Sequence, residues 1–529
     1  MKTKNIFSKI LMGGVLMLSA ALSSCSTDLL DIEQHGTDGV GTYKTANDQQ
    51  VKQYIAAIYA MTYGDAYQST MAGGQASYRA LIKDLARMGG ETANEYAYNE
   101  GADANTYSYI WSYYYKQAYW CNMIIENLPE NNVATESVKN QVIAEARAIR
   151  AIAMMNLVQL YGNPPLADHV LTGEEGNTPA AESWAFIESE LNAAAEALPT
   201  KSGLDGQAAI GGRLTREAAY AYLGKAQLWQ KKYNEAAQTL YNKVIATGKY
   251  ALVDDFHLLN SSAGDFSSEN LWEFDFNEDP ANASAQEGCF DITAFAPNVV
   301  WFSTYAFAIM QWGAGAYPST AFATFMKAHD GEGNKRYDET FMDVNKASMM
   351  GMITYPLNEC VGYINVKDVT LAEDLTGTFP FYYSLRNMAY MRYAEVLLNY
   401  AEAVAQGGNA GAMSGLEALN LVRRRAGLED APALDMNNAD YGVKAERRAE
   451  LYKEGSRFID LVRWGDAATE LKDCGKVMYT LQGINEDGTF NVTTSATGGN
   501  GFQSGKNELF PIPNTDVNTN PNLTQNANW

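Results

Sequence analysis

The residues of this chain that could catalyse a reaction stand in no arrangement that a known chemistry requires. Hydrolysis of a glycosidic bond needs two carboxyl groups about 5–10 Å apart. The 62 acidic residues supply many pairs by chance, but none lies in a recognisable setting. The sequence contains no Gly-x-Ser-x-Gly turn and no phosphate loop. Its four histidines belong to no HExxH motif and no triad-like cluster: His35, His169, His257 and His329. The sequence therefore favours a protein that is not an enzyme and has no cofactor.

One acidic segment has a weak likeness to a metal site. Asp330, Glu332 and Asn334 alternate with other residues as at the start of a calcium-binding loop. An EF-hand loop has glycine at the next position, where this chain has Lys335, so we predict a turn and no metal ion.

A zinc or redox motif is not expected either, because the cysteines beyond Cys25 lack C-x-x-C spacing. Their disulfide state stays open: Cys121, Cys289, Cys360 and Cys474.

The N-terminus has the parts of a bacterial lipoprotein signal. A basic region is followed by the apolar and small residues 10–22, which are too few to span a bilayer as a helix. The sequence Leu-Ser-Ser-Cys then ends at Cys25 and resembles a lipobox, whose cysteine carries the lipid. We predict a signal peptide over 1–24 and lipidation of Cys25. The alternative is an ordinary secretory signal with an incidental cysteine.

Composition limits the partners of the remaining chain. The net charge of −23 disfavours nucleic acid, because phosphate binding relies on clustered Lys and Arg. The 33 tyrosines and 9 tryptophans suit recognition of flat, partly apolar ligands. After Cys25, the residues up to 50 are polar and rich in glycine, so 25–50 is predicted to be a flexible tether.

Residues 446–467 are predicted to form one amphipathic helix. Apolar residues recur at helical spacing, and Gly455 lies within the apolar face. Gly465 suits the left-handed position after the last turn. The charged residues are spaced for i,i+3 pairs, and we interpret them as a solvated face: Glu450, Glu454, Arg457, Asp460 and Arg463.

Helical periodicity covers most of 51–255 and 382–470. Residues 214–245 have the clearest helical hairpin, with a small residue, Gly224, at the predicted crossing, and resemble a tetratricopeptide pair. Further pairs are predicted from 109–128 with 144–160 and from 391–406 with 415–426. Such pairs bury their faces by stacking into a superhelix. Residues 256–381 lack sustained periodicity and are predicted to form a loop-rich layer with a few short strands, where function tends to lie.

Several long motifs resemble the SusD/RagB family of Bacteroidetes outer-membrane lipoproteins. The segment 447–465 matches the family pattern in its spaced Arg, Glu, Gly, Asp and Trp residues, and the tail 505–529 matches in Leu-Phe-Pro-Ile-Pro and Asn-Pro-x-Leu-x-Gln-Asn. Residues 145–165 and 392–423 match as well. With the lipobox, the resemblance covers essentially the whole of 25–529, and it identifies 51–529 as one SusD-like domain.

The resemblance implies both a fold and a role. The fold is mainly α, with tetratricopeptide-like helix pairs against a loop-rich region. The role is non-catalytic capture of an oligosaccharide, or another nutrient such as a peptide, at the cell surface. The partners implied are the outer membrane, through the lipid anchor, and a SusC-like TonB-dependent transporter. A structural or adhesive surface lipoprotein and, less favoured, a surface glycoside hydrolase are the alternatives.

Two aromatic segments fit recognition of a neutral sugar, in which rings stack on C–H surfaces while amides and charges bind the hydroxyls. Trp312, Trp301 and Tyr98 are the strongest candidates, because a glycine-flanked Trp is hard to place in a core. The other candidates are Tyr96, Asn99, Arg79, Tyr305 and Tyr317. The alternative for each aromatic residue is the hydrophobic core.

Overall fold

The computed structural model describes residues 40–63, 85–93, 98–201, 212–274, 317–349, 355–367, 374–378, 381–384 and 386–529. Within these ranges helices predominate and strands are short. The helices are α1 (Val40–Thr45), α2 (Asp48–Tyr63), α3 (Asn105–Asn127), α4 (Glu136–Tyr161), α5 (Ala180–Ala197), α6 (Arg216–Trp229), α7 (Tyr233–Lys243), α8 (Thr320–His329), α9 (Lys335–Asp338), α10 (Val344–Met349), α11 (Tyr393–Ala405), α12 (Gly415–Arg425), α13 (Val443–Glu450), α14 (Arg457–Trp464), α15 (Ala467–Glu470) and α16 (Asn514–Thr519).

The strands of the described residues form small antiparallel sheets. They are β1 (Asn270–Phe274), β2 (Phe341–Asp343), β3 (Leu357–Asn358), β4 (Tyr363–Asn365), β5 (Leu375–Thr378), β6 (Phe381–Ser384), β7 (Met388–Arg392), β8 (Val477–Ile484) and β9 (Phe490–Ala496). β1 pairs with β7, β2 with β4 and β5 with β6, while β8 lies between β3 and β9. In the β1–β7 pair, Glu273 lies opposite Ala389 and Phe274 opposite Met388.

The long helices stack one on the next. α3 packs on α4, α4 on α5, α5 on α6 and α6 on α7; α7 then packs on α11, which packs on α12. At the α6–α7 crossing, a Cβ on Gly224 would lie 2.5 Å from the Leu240 side chain, so glycine lets the two helices approach closely. The prediction of a mainly α fold of helix pairs beside a loop-rich region with short strands is confirmed.

The predicted tether is shorter than the sequence suggests. Residues from Val40 onward are helical rather than flexible, and Tyr43 and Ala46 are buried. The Asn131 side-chain amide donates to the carbonyls of both residues (2.7 and 2.8 Å) and so fixes α1 to the end of α3. A polar, glycine-containing segment can pack in this way when a distant side chain satisfies its backbone.

The prediction of one helix over 446–467 is wrong. α13 ends at Glu450, the chain turns with positive φ at Lys453 and Gly455, and α14 begins at Arg457. In a continuous helix the Glu450 carbonyl would accept from the amide four residues later. Here it accepts instead from Lys367 Nζ (2.8 Å) and Arg392 Nη2 (3.2 Å), so tertiary contacts end the helix.

The predicted solvated face is also wrong. Glu450 and Asp460 are buried, and each carboxylate is paired with arginines. Arg447 and Arg463 both bind Asp460, and Arg463 also binds Glu402. These charges form a buried ion-pair network that joins α13 and α14 to α11.

Gly465 has the predicted left-handed conformation, with φ of 80°, and it ends α14. No atom lies within 4 Å of a Cβ built on it, so a substitution would act through the backbone alone. We expect Gly465→Ala to lower the free energy of unfolding by about 1–2 kcal/mol and Gly465→Asn by less, measured by chemical denaturation. Gly101→Ala, which also meets open space but needs no positive φ, is the control and should change little. Equal effects at both glycines would contradict the backbone explanation.

Cys121 and Cys360 are buried free thiols, and burial raises the pKa of both to about 12. Cys474 is buried as well. Among the described helices, none has both the length and the apolar character that crossing a membrane requires.

Candidate functional site

The two segments that the sequence marks as ligand-binding start from one point of the backbone. Thr92 pairs with Pro318 in an isolated antiparallel bridge. Two further hydrogen bonds extend the contact, from the amide of Ala93 to the Tyr317 carbonyl (2.9 Å) and from the amide of Ser319 to the Glu91 carbonyl (3.1 Å). We call residues 90–93 and 317–319 the junction. It joins parts of the chain that lie more than two hundred positions apart.

The junction rests on α13 and α14. Arg448 donates two hydrogen bonds to the buried Glu91 carboxylate (2.7 and 3.0 Å), and Arg457 Nε lies 2.9 Å from the same carboxylate. The Arg448 guanidinium also lies over the ring of Phe325 on α8, 4.5 Å from its centre. A Cβ on Gly89 would lie 2.8 Å from Arg457 Cγ, so only glycine permits this approach. The helices that carry the family motif therefore hold the junction in place.

Tyr98 lies in the core and not on an exposed loop. It is 4% exposed, its hydroxyl donates to the Met88 carbonyl (2.7 Å), and its ring meets Phe502 edge to face. The prediction assumed exposure, and the contact with the distant Phe502 removes it. The neighbouring Asn99 is exposed: its side chain donates to the Gly498 carbonyl (3.2 Å) and accepts from the amide of Asn500 (2.8 Å).

Tyr317 is likewise 4% exposed and belongs to a hydrophobic cluster with Phe322 and Tyr452. Burial raises the pKa of its hydroxyl well above the usual value. Its backbone, rather than its ring, contributes to the junction, so exposure is wrong for this residue too. The other predicted residues lie outside the described residues, as does Cys25: Arg79, Tyr96, Trp301, Tyr305 and Trp312.

A polar groove lies beyond the turn between α13 and α14. It is open to solvent and is lined by parts of 258–270, by the start of β7 and by Lys453 and Glu454 of the turn. Lys453 also lines a narrow crevice that reaches Glu91. The turn therefore connects the groove with the base of the junction.

The groove can both donate and accept hydrogen bonds. The Asp265 carboxylate accepts from the amide of Asn387 (3.0 and 3.1 Å), and Arg386 Nη1 donates to the Asn260 carbonyl (3.3 Å). The buried hydroxyl of Ser261 has no partner within the described residues. This groove was not predictable from the sequence, because segments more than one hundred residues apart form it and none carries a recognisable motif.

The segment predicted to be a turn rather than a calcium site is engaged by protein side chains. Arg336 donates to both oxygens of Asp330 (2.8 and 2.7 Å). Burial alone would raise the pKa of the Asp330 carboxyl, but Arg336 and His329 outweigh that effect and hold the pKa well below its usual range. Glu332 pairs with Lys327 (2.5 Å), and the side chain of Asn334 caps α9. Across the described residues, no group of His, Cys, Asp and Glu is placed to hold a metal ion.

Comparison with protein families matches most of the chain. A model described as "SusD family" matches residues 359–529, and one described as "Starch-binding associating with outer membrane" matches 33–228. A SusD-like protein of Formosa agariphila is 23% identical over 405 residues, which is 72% of this chain and 74% of that protein. Another from the same organism is 24% identical over 449 residues, 80% of this chain and 81% of the relative.

Solved structures agree in fold. A laminarin-binding SusD-like protein superposes with a TM-score of 0.69 at 24% identity, covering 91% of this chain and all of that one. Surface glycan-binding protein A of Bacteroides fluxus also gives 0.69, at 23% identity over 92% of this chain and all of its own length. The family motifs, the helix pairs and the two family models agree, and the chain belongs to the SusD/RagB family.

Proposed function

We propose that this protein binds an oligosaccharide at the cell surface and delivers it to a TonB-dependent transporter, without catalysing a reaction. Similar proteins are named for binding laminarin and surface glycans, and one matching family model is described as starch-binding. Those names support a glycan as the ligand class. The net charge of −23 favours a neutral glycan over one that carries carboxylate or sulfate groups.

The junction is the observation that carries this proposal. It fixes the ends of the two candidate ligand segments to each other and anchors them on buried ion pairs. A ligand held between two chain segments needs both to start from a rigid base, because ordering them on binding would weaken the affinity. In the sequence, Trp301 and Trp312 precede residues 317–319 of the junction, whereas Arg79 precedes and Tyr96 follows residues 90–93.

The carboxyl groups at the groove support a binding role rather than hydrolysis. Asp265 and Glu454 line the groove, but Glu454 is already bound by Arg392 and Lys367 (2.5 Å each). Glu273, behind Asp265, is buried, and its oxygens accept hydrogen bonds from Phe266 N and Asn270 Nδ2 (2.5 Å each). A glycosidase needs two carboxyl groups that both reach the scissile bond. A buried acid that is already engaged cannot serve as the second.

The anchor proposed at Cys25 leaves a short connection to the membrane. Because α1 begins at Val40, the segment from Cys25 to α1 spans at most about 50 Å when fully extended. This reach keeps the domain near the outer membrane and near a transporter in it. Co-purification of a TonB-dependent transporter with the tagged protein from its own cells tests the partner.

Glycan binding is tested by affinity electrophoresis and calorimetry against a panel that includes laminarin and starch. We expect the wild-type protein to be retained by at least one neutral glycan. The Trp312→Ala variant should bind it at least tenfold more weakly, because one stacking ring is lost. Met478→Ala, at an exposed position on β8, is the control and should bind like the wild type.

Each outcome decides a different part of the proposal. A wild-type protein that no glycan retains would favour the structural or adhesive alternative. Retention with unchanged affinity in Trp312→Ala would reject that residue and leave glycan binding in place. Cleavage of a retained glycan would favour the hydrolase.

A further inference from the structure

An exposed aromatic pair lies on α3, which contributes no residue to the junction. Tyr119 is 42% exposed and Trp120 is 37% exposed. They are the exposed large aromatic side chains of the described residues, and the same helix buries Tyr107 and Trp111. The Tyr119 and Trp120 rings meet edge to face, with centres 5.2 Å apart and planes at 80°. This edge-to-face geometry is favourable for an aromatic pair, and the helix backbone carries both rings.

A polar loop is fastened along the same side of the helix. The Tyr115 hydroxyl donates to the Pro165 carbonyl (2.7 Å), the Asn122 side chain donates to the Ala167 carbonyl (3.2 Å), and Glu126 accepts from the amide of Val170 (2.7 Å). Tyr119 lies one turn from Tyr115 and one turn from Asn122, so it occupies the helix face that this loop follows.

The loop supplies groups that can bind hydroxyls. Asp168 and His169 are joined through Oδ1 and Nδ1 (2.6 Å), and about half of each side chain is exposed. A carboxylate and an imidazole therefore lie in the loop that is fastened along the helix carrying Tyr119 and Trp120. Rings for C–H surfaces and charged groups for hydroxyls are the two components that recognition of a sugar requires.

We propose that Tyr119 and Trp120, with Asp168 and His169, form a second subsite for a neutral glucan chain. The inference depends on the proposed function for its ligand class. Two rings and one polar pair cover far less than the roughly 800 Å² per partner of a stable protein interface, but they suit one or two sugar units. Trp120 lies about 22 Å along α3 from Asn105, the first residue of that helix. We therefore expect a polymer to engage this subsite and the main site together, and a trisaccharide to occupy one site at a time.

The test uses the full-length chain in detergent, in native gels that contain laminarin or amylopectin. We expect the double variant Tyr119→Ala/Trp120→Ala to be retained at least tenfold more weakly than the wild type, because linked sites raise the affinity for a polymer well above that of either site. Trp120→Phe keeps a ring and should retain most of the binding. Val133→Ala, another exposed apolar position, is the control. Thermal unfolding should be unchanged in all variants, since the altered side chains are exposed.

The outcomes separate this inference from the proposed function. A double variant that migrates like Val133→Ala would overturn the subsite alone. A wild-type protein that neither glucan retains would also overturn the subsite, while the wider glycan panel would still decide the proposed function. Equal weakening of polymer and laminaritriose binding would place the pair in the main site and overturn a second one.

Discussion

Replacing Glu450 by alanine should lower the free energy of unfolding by about 3–5 kcal/mol. Glu450 is 1% exposed, and its carboxylate contacts Arg425 Nη2 (2.5 Å), Arg392 Nη1 (3.1 Å) and Arg336 Nη1 (3.2 Å). Alanine would leave these buried guanidinium groups with one carboxylate fewer. Removing one partner of a buried charge cluster is expensive because the remaining charges are already out of water. Chemical denaturation of the variant measures the loss.

The pH dependence of the free energy of unfolding gives an independent measure of the Glu450 ion pairs. Burial alone would raise the pKa of Glu450, but Arg425, Arg392 and Arg336 outweigh it and lower the pKa to about 2 from the ordinary 4.5. A carboxyl with a lowered pKa in the folded state stabilises the protein above pH 4.5, and this stabilisation is lost as the pH falls toward 2. Part of the acid destabilisation of the wild-type protein should therefore be absent from Glu450→Ala.

A matched control separates burial from charge. Glu417 also pairs with an arginine, since Arg424 donates to both of its oxygens (2.8 and 2.9 Å), but both side chains are exposed. Glu417→Ala should lower the free energy of unfolding by less than about 1 kcal/mol, as is usual for surface ion pairs. If the two variants lost the same stability, the buried network would have no special role.

The local features of this fold were predictable from the sequence. Long periodic segments gave the helices α3 to α7 and α11 and α12, because helical periodicity depends on near neighbours only. The glycine at the α6–α7 crossing and the left-handed Gly465 were predictable for the same reason: each reflects a backbone requirement at one position.

The predictions that are wrong concern features that depend on distant parts of the chain. The spacing of Glu450 and Glu454 fits a solvated helix face equally well. The inward orientation of both carboxylates follows from distant partners: Arg425, Arg392 and Arg336 for Glu450, and Arg392 and Lys367 for Glu454. Tyr98 looked exposed because its neighbours are polar, yet Phe502, four hundred positions later, covers its ring. The ligand residues were hard to choose for this reason, since the same residue types occur in loops and in the core.

The second large prediction concerns a carboxyl group with the opposite behaviour. Glu273 on β1 is 1% exposed; burial and the nearby Asp265 raise its pKa from 4.5 to about 8 despite hydrogen bonds from Phe266 and Asn270. Between these two pH values the unfolded chain releases this proton and the folded chain retains it. Stability should therefore fall as the pH rises from 4.5 to 8, by about 4–5 kcal/mol in total.

Glu273→Gln removes the ionisation and should remove this loss. We expect the variant to match the wild type at pH 4, where the carboxyl is neutral in both states, and to be more stable than the wild type by several kcal/mol at pH 9. A glutamine can still accept from the amide of Phe266, and a rotation of the Asn270 amide would satisfy its second group.

Denaturant unfolding at both pH values measures the difference in stability between Glu273→Gln and the wild type. The exposed Glu486→Gln is the control and should change stability little at either pH. A Glu273→Gln variant that lost stability at pH 9 as the wild type does would mean that Glu273 ionises freely in the folded protein. If the prediction holds, the carboxyl behind the groove is neutral at physiological pH, and the groove presents Asp265 as its acidic group on that side.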